Sequence, residues 1–600
     1  MTQASRAHGP AISSISLLER ANGSSVLPPP EPMPAADLRL MLAMRDGTRL
    51  DTQVWLPQDR GQDARVAAIL LRTPYKESVM GFKRLGVLRY VDAGYAVVIQ
   101  TIRGIGISEG KFSFNAPHER CDGYDTVEWI ASQPWCSGQV GMDGSSYVAM
   151  TQVAAALARP PHLRCIVPTV PTMDFFREVP YCGGVFARSH TLNWLRILQV
   201  ESLNELKAGF MSTMPVLARP DVLERMLRRP ARDAGADDLS GDFLEHYETV
   251  LRHPTFDDWF QERSFAAQEL AGIDIPILLI NGNFDASVGS LTLWRGIEAA
   301  EQHRPRHRLL IGPWDHGQSY AGGAESHGPY QFGTSAQLDL VDFRLAFFDQ
   351  HLRARGSGPE MAERVRLFVT GANEWRDFAS FPPAQARLRE FHLSSGGRAN
   401  SARGDGRLVA ESVAEAQASD VFVDDPQLPF VGAIAAGLEP KLLLDMRERE
   451  QHHETLVYDA GALDAPLTIL GEARAELFVS ADVPDADVIV WLVEHRADGR
   501  SIRLAQGQLR LRYHAGFDAE RFIEPGATVR ITVPLTYVAH RLPAGSRLRL
   551  LISGSNFPWA DPNPHVAEPI GSAASCRKAV QQVHHDVQRP SRLLLPILEA

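Results

Sequence analysis

The sequence has few cysteines, no excess of positive charge and no long hydrophobic run. The five cysteines among 600 residues form no Cys-x-x-Cys pair and no disulfide framework, so a reducing compartment is expected. The net charge of −11 is spread along the chain, which argues against a nucleic-acid partner, since such a partner favours a basic patch. The apolar runs, such as Val66 to Leu71, are far too short to cross a bilayer.

The remaining composition is that of a soluble globular protein. Hydrophobic residues make up 44% and charged residues 22% of the chain, which is ordinary for such a protein. Met1 to Gly9 show no basic segment followed by an apolar one, so no secretory signal is expected. We therefore predict a cytoplasmic protein without a membrane partner. A chain of this length is too long to fold around one hydrophobic core, so we expect roughly two to four packed units.

The chain divides into five segments by its local patterns. Residues 1–36 lack periodicity and end in a proline-rich run, which predicts an extended N-terminal arm or a disordered tail. Alternating strand and helix patterns in 37–170 predict the first part of an α/β domain with a mostly parallel sheet. Helical patterns in 171–270 predict an inserted cap, and strands return in 271–362 to complete the α/β domain. Short strands in 363–600 predict a β-sandwich of jelly-roll kind.

One stretch resembles the turn that carries a nucleophilic serine. The pattern Gly-x-Ser-x-Gly between a strand and a helix is the nucleophile elbow. Gly144 and Ser146 match it, whereas Val148 occupies the place of the second glycine and the small Ala149 follows one residue later. Ser145 is a rival nucleophile, but only Ser146 has a glycine two residues before it. The register therefore favours Ser146.

A serine nucleophile needs a base and an acid that orients the base. In α/β-hydrolases the chain order is Ser, then Asp or Glu, then His. Asp285 follows one buried-strand pattern and His316 follows the next. Taken alone, each is an ordinary loop carboxylate or surface histidine. The order and the position after a strand make the pair specific.

Several motifs together resemble the cocaine esterase/NonD family of serine hydrolases, which is related to X-prolyl dipeptidyl peptidases and α-amino-acid ester hydrolases. The resemblance covers about Leu38 to Pro564. It rests on Met44-Arg45-Asp46-Gly47, Arg72-Thr73-Pro74-Tyr75, Arg103-Gly104-x-Gly106-x-Ser108-x-Gly110, Gly138-Gln139-Val140-Gly141-Met142, Gly144-x-Ser146-Tyr147, Gly282-x-x-Asp285, Gly312-Pro313-Trp314-x-His316, Gly371-x-Asn373-x-Trp375 and Ser555-Asn556-Phe557-Pro558.

The resemblance implies a fold and a set of roles. It implies an α/β-hydrolase domain with an inserted helical cap and a C-terminal jelly roll. Ser146 would be the nucleophile, His316 the general base and then acid, and Asp285 the group that orients the imidazole. The backbone N–H of Tyr147 and the phenol of Tyr75 would form the oxyanion hole. Read without the resemblance, Tyr75 is better explained as a packed tyrosine in a Pro-Tyr turn.

Two departures from the family pattern weaken the subfamily assignment more than the catalytic one. Thr101 stands two places before an Arg-Gly pair where the family commonly has Asp, and Ala149 stands where its elbow has the late glycine. Asp315, beside His316, is expected to be solvated. The glycine loop after Arg103 lacks the Lys-Ser/Thr of a P-loop, so phosphate binding is not expected.

The acyl pocket is expected to draw on aromatic residues of the cap and the His316 loop. The candidates are Phe176, Tyr181, Phe186, Trp194 and Trp314, with the neighbouring Phe175; for the cap residues a place in a helical core is an equally good interpretation. No metal-ligand cluster is visible in the sequence, and no cofactor is required. The expected partner is a small-molecule acyl substrate, and the resemblance also allows a homo-oligomer.

The sequence is compatible with three functions. The first is hydrolysis of an acyl ester or amide through an acyl-enzyme. The second is an acyltransferase that uses the same triad to pass the acyl group to an alcohol or amine. The third is a binding module whose working part is the jelly roll, although a fold does not determine a function.

Overall fold

The computed structural model describes residues 35–58, 64–75, 81–202, 224, 226–285, 289–323, 325–355, 361–411, 416–431 and 445–599. The predicted N-terminal arm, 1–36, lies outside these residues except for its last two.

Strands and helices are numbered along the described chain. The strands are β1 Leu38–Ala43, β2 Arg49–Trp55, β3 Val66–Thr73, β4 Ala96–Thr101, β5 Cys136–Ser145, β6 Leu163–Thr169, β7 Tyr181–Cys182, β8 Val185–Phe186, β9 Leu278–Gly282, β10 Arg308–Gly312, β11 Ser326–His327, β12 Tyr330–Gln331, β13 Val365–Val369, β14 Glu374–Phe378, β15 Ala386–Ser394, β16 Arg407–Val409, β17 Asp420–Asp424, β18 Leu456–Ala462, β19 Leu467–Ala481, β20 Asp487–His495, β21 Ser501–Arg510, β22 Val529–Leu542, β23 Arg547–Ser553, β24 Ala579–His584 and β25 Arg592–Leu598. The helices are α1 Gly81–Asp92, α2 His118–Ser132, α3 Tyr147–Ala158, α4 Phe175–Glu178, α5 Arg188–Ser202, α6 Ala231–Asp238, α7 Gly241–Arg252, α8 Asp258–Gln261, α9 Ala267–Leu270, α10 Gly289–Glu298, α11 Gln318–Ala321, α12 Leu340–Leu352 and α13 Arg447–Gln451.

The first domain is built on a ten-stranded sheet in the order β1-β2-β4-β3-β5-β6-β9-β10-β13-β14. The strands from β4 to β13 in this order run parallel, and antiparallel strands lie at both edges. Strands such as β4 are buried along their whole length, because helices cover both faces of a parallel sheet. Residues of α2 and α3 pack in the core on one face, and residues of α1 and α12 pack on the other.

The predicted cap lies between β6 and β9. It consists of the helices α4 to α9 and the short hairpin β7–β8. The cap also contacts the C-terminal domain, where a buried ion pair joins Arg188 Nη2 to Asp561 Oδ1 at 2.5 Å and the ring of Phe176 packs against that of Phe517. This interface holds the cap between the other two domains.

The C-terminal β domain, residues 386–598, contains eleven strands that form one hydrogen-bonded sheet. The order is β17-β24-β19-β25-β15-β16-β18-β23-β20-β21, with β22 paired to β19. Long strands such as β19 alternate buried and half-buried positions, as the period-2 patterns predict. Their apolar side chains form a second core separate from that of the α/β sheet.

The ten-stranded sheet extends beyond the predicted division between the domains. The sequence pattern places this division at residue 363, but β13 and β14 pair within the ten-stranded sheet. Sheet pairing therefore places Trp375 of the motif Gly371-x-Asn373-x-Trp375 in the ten-stranded sheet, and the domain bounds stay predictions. Among the described residues, no helix has the length and apolar character needed to cross a membrane.

Candidate active site

Ser146 occupies a sharp turn between β5 and α3. Its φ of 60° and ψ of −123° fall in a region that a non-glycine residue rarely adopts and that costs free energy. The N–H of Ser146 donates to the carbonyl of Thr169 at 2.9 Å, which holds the turn against β6. Ser145, the rival nucleophile, is instead the last residue of β5 and pairs with Thr169 of β6 in the sheet. The strained turn is the geometry of a nucleophile elbow.

The packing around Gly144 explains how the elbow tolerates its missing second glycine. Gly144 has a φ of 139°, and a Cβ built there would lie 2.2 Å from Cγ1 of Val148. Val148 thus occupies the space that a side chain at 144 would need. Ala149 is buried within α3. The valine is accommodated because position 144 is a glycine.

The loops that follow β9 and β10 lie side by side at the same edge of the sheet. The N–H of Asn283 donates to the carbonyl of Gly312 at 2.8 Å, and the N–H of Phe284 donates to the carbonyl of Trp314 at 2.9 Å. Because β5, β6, β9 and β10 are parallel neighbours, their carboxyl ends share one edge. The residues that follow them meet there.

These loops bring Asp285 and His316 into contact. Asp285 Oδ2 lies 2.6 Å from Nδ1 of His316. The carboxyl side chain is 2% exposed, whereas the imidazole is 49% exposed. An ionised carboxylate only accepts hydrogen bonds, so Nδ1 carries the proton and Nε2 of the neutral ring is the basic nitrogen. This is the tautomer that a general base requires.

Asp315 has a local structural contact. Its Oδ1 accepts the N–H of Gln318 at 2.8 Å, and its own N–H donates to the side chain of Gln318 at 3.1 Å. Asp315 therefore exchanges two hydrogen bonds with Gln318, the first residue of α11, rather than being merely solvated.

The two predicted oxyanion donors differ in their surroundings. Tyr147 is the first residue of α3, and the first N–H groups of a helix have no intrahelical acceptor and lie at its positive end. Tyr75 follows β3, and its N–H donates to the hydroxyl of Thr73 at 3.0 Å. The phenol oxygen of Tyr75 accepts a hydrogen bond from Nε1 of Trp194, on the cap helix α5, at 3.2 Å.

The side chain of Tyr147 points into the core. Its hydroxyl donates to Oε1 of Glu119 at 3.2 Å and accepts the N–H of Asn115 at 3.1 Å. Burial raises the pKa of the Tyr147 phenol well above its ordinary value. The phenol is therefore a neutral donor at physiological pH.

An aromatic cluster joins the elbow to the cap. Trp194 stacks on Tyr147 with ring centroids 6.2 Å apart and packs edge-on against Phe114 at 5.3 Å. Phe175 of the cap stacks on Phe114 at 3.7 Å. The cluster lies beside Tyr75 because Trp194 reaches both tyrosines.

The structure separates the predicted pocket residues. Trp194 is half-buried beside Tyr75, whereas Phe176, Tyr181, Phe186 and Trp314 have no exposed surface. Three of these four pack in the cap core, where the hydroxyl of Tyr181 donates to the carbonyl of Val250. Trp314 packs against Trp375. These four side chains therefore lie in packed cores and not in the walls of the expected pocket.

The described residues show no group of three or more His, Cys, Asp or Glu side chains placed to hold a metal ion.

Comparison with known proteins identifies the family. Residues 46–318 match the X-Pro dipeptidyl-peptidase (S15 family), and residues 358–594 match the X-Pro dipeptidyl-peptidase C-terminal non-catalytic domain. Cocaine esterase from Rhodococcus sp. (strain MB1 Bresler) is 30% identical over 583 residues, covering 93% of this chain and 98% of that protein. The chain belongs to the cocaine esterase/NonD family of serine hydrolases.

Solved structures agree on the fold of this family member. An aminopeptidase from the marine sediment archaeon Thaumarchaeota archaeon superposes with a TM-score of 0.80 at 24% identity, covering 96% of this chain and 99% of that one. An α-amino acid ester hydrolase superposes with a TM-score of 0.80 at 23% identity, covering 98% and 100%. The predicted family and fold class are confirmed. The predicted cytoplasmic location and homo-oligomer stay predictions.

Sequence reasoning missed some residues of this cocaine esterase/NonD family member that surround the site. Phe114 and Asn115 lie in an aperiodic segment between β4 and α2, and Glu119 lies in the first turn of α2. Nothing in their spacing links them to Tyr147. The one available signal is the pair of aromatic residues in Phe112-Ser113-Phe114, since aromatic residues in a loop often pack into a site.

Proposed function

We propose that this protein is a serine esterase that cleaves the acyl ester of a small molecule through an acyl-enzyme. The observation that carries the proposal is the 2.6 Å contact between Asp285 Oδ2 and His316 Nδ1, at the sheet edge where Ser146 occupies its strained turn. Esters are favoured because the relative at 30% identity is named a cocaine esterase. The alternative substrate within this proposal is an amide, cleaved by the same three residues.

The reaction uses each group in turn. Nε2 of His316 takes the proton of the Ser146 hydroxyl as Oγ attacks the acyl carbon, and Asp285 stabilises the resulting imidazolium. The tetrahedral intermediate collapses as His316 gives that proton to the leaving alkoxide, which departs as an alcohol. Water then attacks the acyl-enzyme, with His316 as base again, and the carboxylic acid is released with Ser146 restored.

Two donors stabilise the negative oxygen of the intermediate in this proposal. They are the N–H of Tyr147 at the start of α3 and the phenol of Tyr75. Trp194 supports the second role, because a phenol oxygen that accepts from the indole directs its own hydrogen away from the indole. One well-placed donor contributes about 3 to 4 kcal/mol to the lowering of the barrier.

The acyl group is proposed to lie against the half-buried face of Trp194. This ring is the predicted pocket residue that contacts Tyr75, and its neighbours Phe114 and Phe175 are also aromatic. An apolar acyl group suits such a surface, since burying apolar area is favourable.

The test compares two adjacent serines. Wild-type protein should react with a fluorophosphonate probe and hydrolyse p-nitrophenyl acyl esters; Ser146→Ala should lose both activities. Ser145→Ala is the matched control and should keep labelling. Labelling that persists in Ser146→Ala would remove the proposed nucleophile. Adding an alcohol acceptor to the same assay tests the acyltransferase alternative, which predicts more transfer product than free acid.

A further inference from the structure

A buried carboxylate lies between the two segments that carry the proposed oxyanion donors. Glu119 is 1% exposed, in the first turn of α2. Its two oxygens have different partners: Oε1 accepts the hydroxyl of Tyr147 at 3.2 Å, and Oε2 accepts Nη1 of Arg72 at 2.7 Å. The carboxylate therefore joins α3 to the end of β3.

The link to Tyr147 acts on the start of α3. The Tyr147 hydroxyl is held on two sides, since it also accepts the N–H of Asn115 at 3.1 Å. The backbone N–H of the same residue is the proposed donor to the oxyanion. A phenol anchored at its far end restricts how that backbone can rotate in the strained elbow.

The link to Arg72 acts on the segment that leads to Tyr75. Arg72 is fully buried and lies three residues before Tyr75. Its Nε donates to Gln100 at 2.8 Å, and its carbonyl accepts the hydroxyl of Thr151 in α3 at 3.0 Å. Arg72 is thus tied both to Glu119 and directly to the elbow helix.

We propose that Glu119 is a positioning residue that sets the separation of the two oxyanion donors through Tyr147 and Arg72. The proposal rests on the proposed esterase function. Glu119 touches neither the substrate nor the reacting atoms; it acts through the groups it holds. Transition-state stabilisation by fixed donors depends on their placement. Loss of a Glu119 contact should therefore lower kcat more than it raises KM.

The amide of glutamine cannot accept from both partners of this carboxylate. Both partners, the Tyr147 hydroxyl and Arg72 Nη1, donate to Glu119. Arg72 can only donate, whereas a phenol can also accept. A glutamine offers one carbonyl oxygen and one NH₂ group. With its oxygen on Arg72, the amide turns its NH₂ group toward the Tyr147 hydroxyl. The phenol then no longer donates to position 119, and its oxygen already accepts the N–H of Asn115.

The first test removes the phenol link and leaves the buried ion pair in place. Tyr147→Phe should lower kcat for an ester about tenfold with KM nearly unchanged, because a small displacement of the donor weakens transition-state binding. Turnover of the matching thionoester should fall much less, since its sulfur is a weak acceptor that gains little from the donors. Tyr458→Phe is the matched control: its buried phenol also donates to a carboxylate, Asp420, at 2.7 Å, far along the chain in the β domain. That control should change neither rate.

The second test is Glu119→Gln, alone and combined with Tyr147→Phe. We expect the same selective loss of ester over thionoester turnover, and less than additive effects in the double variant. An unchanged ester-to-thionoester ratio in Tyr147→Phe would overturn the proposal, even if Glu119→Gln fails to fold. Failure of the esterase proposal is distinguishable, because wild-type protein would then show no labelling at Ser146.

Discussion

Replacing Gly144 by alanine tests the packing of the elbow directly. An added Cβ would lie 2.2 Å from Cγ1 and 2.7 Å from Cβ of Val148, where carbon atoms normally stay about 3.5 to 4.0 Å apart. Forcing a methyl group into a packed site costs about 1 to 3 kcal/mol. A non-glycine residue at φ 139° adds about 1 to 3 kcal/mol of backbone strain. Gly144→Ala should therefore lose about 2 to 6 kcal/mol of unfolding free energy.

A second glycine separates these two contributions. Gly516 has a φ of 136°, and a Cβ there would meet only the carboxylate end of Asp518 at 2.9 Å, a flexible group that can move aside. Gly516→Ala should thus show the strain without the clash. Urea unfolding measures the loss of unfolding free energy in each variant, and the difference between the two losses is the cost of the clash. Combining Gly144→Ala with Val148→Ala should restore part of the loss, since it removes the nearest atom.

Activity should fall more steeply than stability in Gly144→Ala. Relief of the clash must move the turn that carries Ser146, and a displacement of about 1 Å can cost about 100-fold in rate. The measurement is kcat/KM for a p-nitrophenyl ester. Equal stability of Gly144→Ala and Gly516→Ala, together with a wild-type kcat/KM in Gly144→Ala, would contradict the proposed packing of the elbow.

Further predictions concern the acid, the oxyanion hole and one partly buried carboxyl. Asp285→Asn should lower kcat by about 10³- to 10⁴-fold, because the amide no longer selects the His316 tautomer with a free Nε2; retained kcat would exclude Asp285 as the acid. Tyr75→Phe should lower kcat about 10²- to 10³-fold. Trp194→Phe keeps an aromatic ring but removes the N–H, so it should lower kcat by a smaller factor. An equal or larger loss for Trp194→Phe would contradict its supporting role. Burial raises the pKa of Glu178 to about 8 from 4.5, so its contribution to the unfolding free energy is fully present below about pH 4.5 and is lost as the pH rises through about 8. Glu178→Gln should flatten this decline in urea unfolding between about pH 5 and about pH 9, and an unchanged slope would refute the assignment.

The order of the site residues could be predicted because each follows a locally recognisable strand. Ser146 came from a glycine, a serine and small residues at a strand-to-helix junction, and Asp285 and His316 from their positions after two apolar runs. Parallel strands place their carboxyl ends at one edge, so a sequence pattern is enough to expect these residues near one another. The 2.6 Å contact between Asp285 and His316 agrees with that reasoning.

The pocket residues could not be predicted in the same way. Phe176 and Trp194 are both aromatic residues of the cap, yet one is enclosed with Phe517 of the β domain and the other reaches Tyr75. Which face of a cap helix meets the active site depends on how the cap packs between two domains. Periodicity shows that a helix has an apolar face, not what that face covers.

The sequence alone determined the family, the fold class and the chain order of the candidate triad, because these depend on local patterns of apolar residues, glycines and turns. Tertiary structure decided that β13 and β14 join the first sheet, that Val148 fits only beside a glycine, and that Glu119 lies between Arg72 and Tyr147. The contacts of β13 with β10 and of Glu119 with Arg72 and Tyr147 join residues far apart along the chain. They arise from the shape and charge of the packed core, which local patterns do not encode.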